Sequence, residues 1–526
     1  MKPPRPFMMA PAEPTFEAVA CLPPDEITLT WQLDRLATEL CAGLAPETIA
    51  ALVSLGSIVI GDRDGYVIDY VPSRSIGVAR HRRGLYLQGT RRTVYGCAGL
   101  WGRERLRDVL RSRGATDLPA LAEALRDELS AADLPLPRQW CGPGDLAAAA
   151  LRRYKFVPLA DPDPLAGLPD MLLAYYGGRI EVTAHGDVPR DLWEYDLRSA
   201  YGWAIGELPS PVGQWRDGEG WWGVCLIRWR RNRALARNAG PAMLGPFPSR
   251  SASGSLSYPL AGMGLYWQPE IEAARRAGYD VEVLRAWHWM PDDPEARPWR
   301  AMVAELHTAR VPAPSSKPLL PAMYGKLIQR IGNTRWRSLT YASLVTAMVR
   351  AAVLDAASQS PSDIVMISTD SIVSLRPLGL FLGERPGEWR MTEHRGGLHI
   401  VAPGLYWSLR GDDRVRTRGF PRDALLSRRR DMMALWRDWS PEQQPPGLAI
   451  PMRLLLTIPL AAALDLPPGG EREIDMPVRY SWPGRRSKLA QIDGLWRSLP
   501  RRLGGANHPY DMPARRDPLS LLETEL

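Results

Sequence analysis

Apolar positions recur at helical spacing over residues 340–358, and β-branched runs follow, split by Ser368-Thr369-Asp370-Ser371. The first pattern predicts a long amphipathic helix, and the second a tight hairpin with Asp370 in its turn. Earlier, residues 57–70 alternate as a strand pair would around Gly61-Asp62-Arg63-Asp64-Gly65, and two more short strands fit 76–89. Helical spacing covers 26–44, and Pro46 suits the first position of a second short helix ending near Leu55. Residues 118–154 predict two helices joined by a Pro-rich turn at 135–143, with Asp145 as the N-cap of the second. From 170 to 290 strands and loops alternate; 222–229 and 281–287 read as strands and 269–278 as a helix. Residues 295–311 and 316–333 predict two antiparallel helices. The first 25 residues are Pro-rich and predict a flexible segment, while 421–526 mix basic helices with Pro-rich loops.

Two aspartates stand out against this pattern. Asp196 follows a short apolar-aromatic stretch, where a strand can end, and Asp370 occupies the predicted hairpin turn. An isolated Asp after a strand is usually a turn or cap residue. Two carboxylates raised on strand ends of one sheet can do more. They can hold two Mg²⁺ ions, which clamp the attacking and leaving oxygens of a phosphoryl transfer.

Five segments follow one another through the chain: Tyr175-Tyr176-Gly177-Gly178-Arg179; Asp196-Leu197-Arg198-Ser199-Ala200-Tyr201; Lys317 through Tyr324-Gly325-Lys326; Ser368-Thr369-Asp370-Ser371; and Arg416-Thr417-Arg418-Gly419. Together, in this order, they resemble the motifs of family B DNA polymerases of the viral, plasmid and protein-primed branch. The resemblance implies an α+β fold, a right hand of palm, fingers and thumb behind an N-terminal, degenerate ribonuclease-H-like exonuclease domain. The boundaries it implies are a flexible segment at 1–25, the exonuclease-like domain at 26–169, palm at 170–294 and 339–420, fingers at 295–338 and thumb at 421–526. Asp196 and Asp370 become the catalytic metal ligands for two Mg²⁺ ions, with Mn²⁺ able to substitute. Lys317, Tyr324, Gly325, Tyr201, Ser199 and Arg310 become nucleotide-binding residues, with Tyr201 as the floor that excludes a 2′-hydroxyl. Lys317, Tyr324 and Gly325 are spaced to share one helical face. Arg416, Arg418, Gly419 and Lys326 become contacts to DNA. The implied activity is template-directed DNA polymerisation, with primer–template DNA and deoxynucleoside triphosphates as partners and a priming protein or other replication proteins as further candidates.

The chain also departs from the family's pattern. Ser368 stands where a second carboxylate is expected, Gly202 replaces a proline, and Pro321-Ala322 replace Asn-Ser, so Pro321 is expected to kink the fingers helix. No Asp-x-Glu precedes residue 60, and Trp140 takes the place of a tyrosine, which predicts loss of 3′–5′ proofreading. The weakened motifs leave open a non-catalytic nucleic-acid-binding scaffold, or a specialised primase or protein-primed enzyme.

Composition sharpens this reading at several points. The formal charge of +8 suits a polyanionic partner. The basic clusters at 428–430, 485–488 and 501–502 could follow duplex phosphates. Lysine occurs only at positions 2, 155, 317, 326 and 488, so two of five fall in the fingers motif of an otherwise Arg-rich chain. The five cysteines are scattered without a Cys-x-x-Cys pair, which argues against a zinc site or a disulfide framework. No signal-peptide pattern and no run of membrane-spanning length is expected, which points to a cytoplasmic protein encoded by a phage, plasmid or mobile element of a GC-rich bacterium.

Overall fold

The computed structural model describes residues 118–136, 143–232, 244–250, 256–329, 334–411, 414–417, 422–441, 446–455, 471–480 and 489–502, seven short strands before residue 93, and Phe420, Gln443 and Arg486. The fold is a mixture of helices and mainly antiparallel sheets. The chain gathers into two compact units, one of Met1–Phe156, Thr308–Lys326 and Pro451–Asp475, the other of Val157–His307, Leu327–Ile450 and Met476–Leu526.

In the first unit, Val19–Cys21, Ile27–Leu29, Ile58–Gly61, Val67–Val71 and Thr90–Arg92 form a five-stranded sheet in that order. The pairing of Ile27–Leu29 with Ile58–Gly61 is parallel and the others are antiparallel. The strand at Ile27–Leu29 corrects the start of the helix expected over 26–44, whose remainder lies outside the described residues: a β-branched Ile-Thr pair finds a neighbouring strand, and tertiary pairing overrides the helical pattern there. The helix expected after Pro46 lies outside the described residues. The two short strands expected in 76–89 are Val78–His81 and Gly84–Leu87, and they pair antiparallel. Helices Leu118–Ala131 and Pro143–Arg153 also match expectation, but the second starts at Pro143. Asp145 is therefore inside its first turn and is not its N-cap, and a proline at the first position sacrifices no helical hydrogen bond.

The second unit runs through β1 (Arg179–Val182), β2 (Ala184–Val188), β3 (Leu192–Leu197), α1 (Ala200–Gly206), α2 (Gln268–Arg276), α3 (Leu339–Ala357), β4 (Ile364–Thr369), β5 (Ser371–Ser374), β6 (Trp389–His394), β7 (Leu398–Ala402), β8 (Leu405–Ser408), β9 (Val415–Thr417), β10 (Leu489–Ile492) and β11 (Leu495–Ser498). One sheet has the order β6-β3-β5-β4-β1 and a second the order β9-β8-β7-β2-β11-β10. Thr183, between β1 and β2, lets the chain pass from one sheet to the other. Val182, Leu192, Met366 and Val373 of the first sheet share a core cluster with Ala184, Ile400, Tyr406 and Leu495 of the second. Between α1 and α2 the strands Gly213–Asp217, Gly223–Arg231 and Ala261–Trp267 join Tyr279–Pro291 in a separate four-stranded sheet.

Helix α3 is the buried axis of this unit. Ser338 caps its N-terminus by accepting from the Tyr341 N–H at 3.1 Å. Its sides meet α2 and α1, with Trp267 Nε1 donating to Ser343 Oγ at 2.9 Å. By length and composition alone α3 passes for a membrane span, which corrects the expectation that no such run exists. Most of its residues are buried inside the protein, as those of a core helix are. The helix expected at 295–311 is shorter, Arg300–Thr308, because Pro294 and Pro298 delay its start and Pro312 follows its end.

Candidate active site

Strand β3 ends at Asp196 and Leu197, and neighbouring backbone holds that end. The Leu197 N–H donates to the Asp370 carbonyl, and the Arg198 N–H to the Glu388 carbonyl, each at 2.9 Å. Strand register sets Arg390, Asp196, Ser371, Ser368 and Ile180 opposite one another across five strands, so their side chains share a face. Ser368 pairs with Ser371, which leaves Thr369 and Asp370 as the whole turn. The Asp370 N–H donates to the Ser368 carbonyl at 2.8 Å, and Thr369 has φ 62°. This is the γ-turn form with a positive central φ, rare because it is strained. A β-branched residue in such a conformation costs on the order of 1–3 kcal/mol, and strain of this kind gathers at functional sites.

The two carboxylates sense each other. Burial and then the charge of Asp196 push Asp370 up to about 6, against a smaller opposing pull from its own backbone N–H. Asp196 is half-exposed and receives Arg390 Nη2 on Oδ2 at 2.5 Å. A pair of mutually repelling carboxylates, one of them desolvated, is a donor set that suits Mg²⁺. Such sites commonly use one or two carboxylates and complete the shell with water and phosphate oxygens. Among the described residues no group of three or more His, Cys, Asp or Glu side chains could enclose a metal.

Around this pair the chain builds a polar frame. Ser199 opens α1 in the left-handed region, at φ 48°, and its Oγ lies 2.9 Å from His307 Nδ1. His307 Nε2 lies 3.0 Å from the Glu384 carbonyl, which can only accept. A neutral His307 therefore carries its proton on Nε2 and accepts the Ser199 hydroxyl proton at Nδ1. Arg198 donates to the Gly383 carbonyl at 2.6 Å and pairs with Glu384 at 2.7 Å. Tyr201 is half-buried on α1, with its hydroxyl beside Gly178. Arg416 is exposed on β9; the Tyr406 hydroxyl, then Glu194 and Asp196, hold its guanidinium above the usual arginine range against a smaller effect of burial.

Sequence reasoning missed two members of this frame. Arg390 was invisible because its partner is set by strand register 194 residues away. Glu194 is two residues before Asp196 on the same strand face, and that spacing could have flagged it. Its carboxylate is buried and accepts from His394 Nε2 and from the Tyr406 hydroxyl, each at 2.9 Å. Burial opposes ionisation there, but these two donors and Arg416 outweigh it and hold the carboxyl below its usual range.

Lys317, Arg310, Tyr324, Gly325 and Lys326 lie in the first unit. Lys317 is exposed and caps the short turn Pro314–Ser316, and helix Leu319–Ile328 begins after it. This corrects the expectation that Lys317 shares that helix with Tyr324 and Gly325. It also removes the expected kink, because Pro321 falls in the first turn, where an N–H has no helical acceptor to lose. Arg310 donates to the Lys317 carbonyl at 3.2 Å, and burial holds it below the usual arginine range. Tyr324 is half-buried, and Lys326 packs its ammonium end toward Gly144. A Cβ on Gly325 would meet nothing within 4 Å, so internal packing does not require glycine there. Arg418 and Gly419 lie outside the described residues.

No protein-family model matches the chain, and no curated protein matches it. Among solved structures it is similar to Phi29 DNA polymerase complexed with primer-template DNA and incoming nucleotide substrates, at 13% identity and a TM-score of 0.46, over 69% of this chain and 71% of that one. It is also similar to the orthorhombic crystal form of Phi29 DNA polymerase, at 14% identity and a TM-score of 0.48, with the same coverage.

Proposed function

We propose that this protein is a template-directed DNA polymerase that adds deoxynucleotides to a primer 3′-hydroxyl and lacks 3′–5′ proofreading. The observation that carries the reading is the convergence of Asp196 and Asp370 at adjacent strand ends, close enough that one carboxylate raises the pKa of the other. In this reading the sheet β6-β3-β5-β4-β1 is the palm. Asp196 and Asp370 hold Mg²⁺, which when bound supplies charge stabilisation at the phosphoryl oxygens. Arg390 neutralises Asp196 while no ion is bound. Ser199 and the start of α1 frame the triphosphate, and Tyr201 forms the floor beneath the sugar. Arg416 meets the primer–template backbone. Lys317, Tyr324, Gly325 and Arg310 keep the nucleotide-binding roles that the motif resemblance implies, and Lys326, Arg418 and Gly419 those of DNA contacts.

The test is primer extension. Asp196→Ala and Asp370→Ala should each reduce Mg²⁺-dependent extension by about 100-fold or more, with DNA binding retained. Extension near wild type in either variant refutes the assignment. One observation favours a second reading, a DNA-binding scaffold without catalysis: Arg390 already satisfies Asp196, and Ser368 supplies no carboxylate. A wild-type protein that binds primer–template but extends neither DNA, RNA nor protein primers would decide for the scaffold.

A further inference from the structure

Within the apolar helix α3, Arg350 is only 3% exposed, yet it carries a full charge. Its Nε donates to Glu270 Oε1 on α2 at 2.8 Å. Its Nη1 donates to two successive backbone carbonyls, those of Tyr176 at 2.6 Å and Gly177 at 2.7 Å. Burial works against this guanidinium, and the Glu270 carboxylate more than offsets it, so the group stays charged above the usual arginine range. The ring of Tyr176 stacks on Tyr266 with centroids 5.4 Å apart. The segment before β1 is therefore gripped from both its backbone and its side chain.

The next residue, Gly178, is where this grip reaches the site. Its backbone is not in the left-handed region, so conformation alone does not demand glycine. Proximity does. A Cβ there would stand 2.6 Å from Thr369 Cγ2 and 3.1 Å from the Tyr201 hydroxyl oxygen. The first distance is shorter than any real Cβ contact, and Thr369 has little freedom to retreat because it is the strained centre of the Asp370 turn. One backbone position thus supports both the proposed metal turn and the proposed sugar floor.

We infer that Arg350 is a positioning residue and Gly178 a specificity-determining one: the turn that Arg350 pins sets where Tyr201 stands beneath the incoming sugar and where the Thr369–Asp370 turn presents its carboxylate. This rests on the polymerase reading above. Loosening the pin or thickening the wall displaces Tyr201 from its seat and admits a 2′-hydroxyl.

The experiment measures kcat and KM separately for deoxy- and ribonucleotides in primer extension, on full-length protein whose melting is followed in parallel. Gly178→Ala should lower the deoxy-to-ribo ratio of kcat/KM at least tenfold and reduce kcat for deoxynucleotides. Adding Thr369→Ser removes the methyl group that the new Cβ strikes, so the double variant should regain kcat while the sugar ratio stays low, because the contact with Tyr201 remains. Arg350→Lys, which keeps the charge but cannot span both carbonyls and Glu270, should lower the ratio less than Arg350→Met. Should Arg350→Met fail to fold, Gly178→Ala and Arg350→Lys decide. A folded Gly178→Ala protein whose ratio stays within twofold of wild type, or rises, overturns the inference and leaves the polymerase reading standing. A wild type that extends no primer removes both.

Discussion

Replacing Asp370 with asparagine should make the metal-free protein more stable while destroying its activity. The substitution keeps the shape of the side chain and removes a charge that its surroundings disfavour. Asp370 moves from 3.8 to about 6, through burial first and Asp196 second. A shift of about two units corresponds to about 3 kcal/mol of lost stability at pH 7.5, at ~1.36 kcal/mol per unit. The sign follows from the direction. The folded state holds this proton more tightly than the unfolded chain, so the penalty from Asp370 is smallest below about pH 4 and grows as pH rises toward 6. The advantage of Asp370→Asn should therefore be under about 1 kcal/mol at pH 4 and about 3 kcal/mol at pH 7.5. Urea denaturation followed by tryptophan fluorescence reads this out; with a slope of ~3 kcal/mol/M, the midpoint at pH 7.5 should rise by about 1 M. Mg²⁺ supplies the cross-check. At one hundred times its Kd it should return ~2.7 kcal/mol to the wild type and far less to the variant. An equal gain at both pH values, or equal stabilisation of both proteins by Mg²⁺, would refute the idea that Asp370 is an electrostatically strained metal ligand.

Other outcomes follow from the same structure. Tyr201→Val should admit ribonucleotides far more readily, seen as a fall in the deoxy-to-ribo ratio with little change in triphosphate affinity, because a clash that discriminates is lost. Purified protein should leave the 3′ end of single-stranded DNA intact in Mg²⁺ or Mn²⁺; digestion that disappears in an Asp62 or Asp145 variant would overturn the loss of proofreading. Ser368→Asp should retain extension activity, because position 368 shares a sheet face with Asp196 and can accept a carboxylate there. Gly186→Ala should destabilise the second unit by more than about 2 kcal/mol, measured by denaturation, since Gly186 has φ 74° and a Cβ would overlap the Trp436 indole.

Local pattern alone determined the elements that carry the two aspartates. β-branched runs around Ser-Thr-Asp-Ser can only fold back on themselves, so the β4–β5 hairpin and its Asp370 turn were readable. The apolar period of α3 and the strand end at Asp196 were readable for the same reason: each depends on residues a few positions apart. What tertiary structure decided depends mostly on residues tens to hundreds of positions apart. Arg390 meets Asp196 and His394 meets Glu194 through strand register, and Tyr406 reaches Glu194 only once two sheets have packed. Pairing with Ile58–Gly61 turned Ile27–Leu29 into strand, and where helix Leu319–Ile328 starts determined that Lys317 stays outside it and that Pro321 does no harm. In the sequence Gly178 is one member of a motif's Gly-Gly pair, with no role of its own attached. Only the packed structure makes it a wall, because burial fixes Arg350 in α3, Arg350 fixes the backbone before β1, and no space remains there for a side chain.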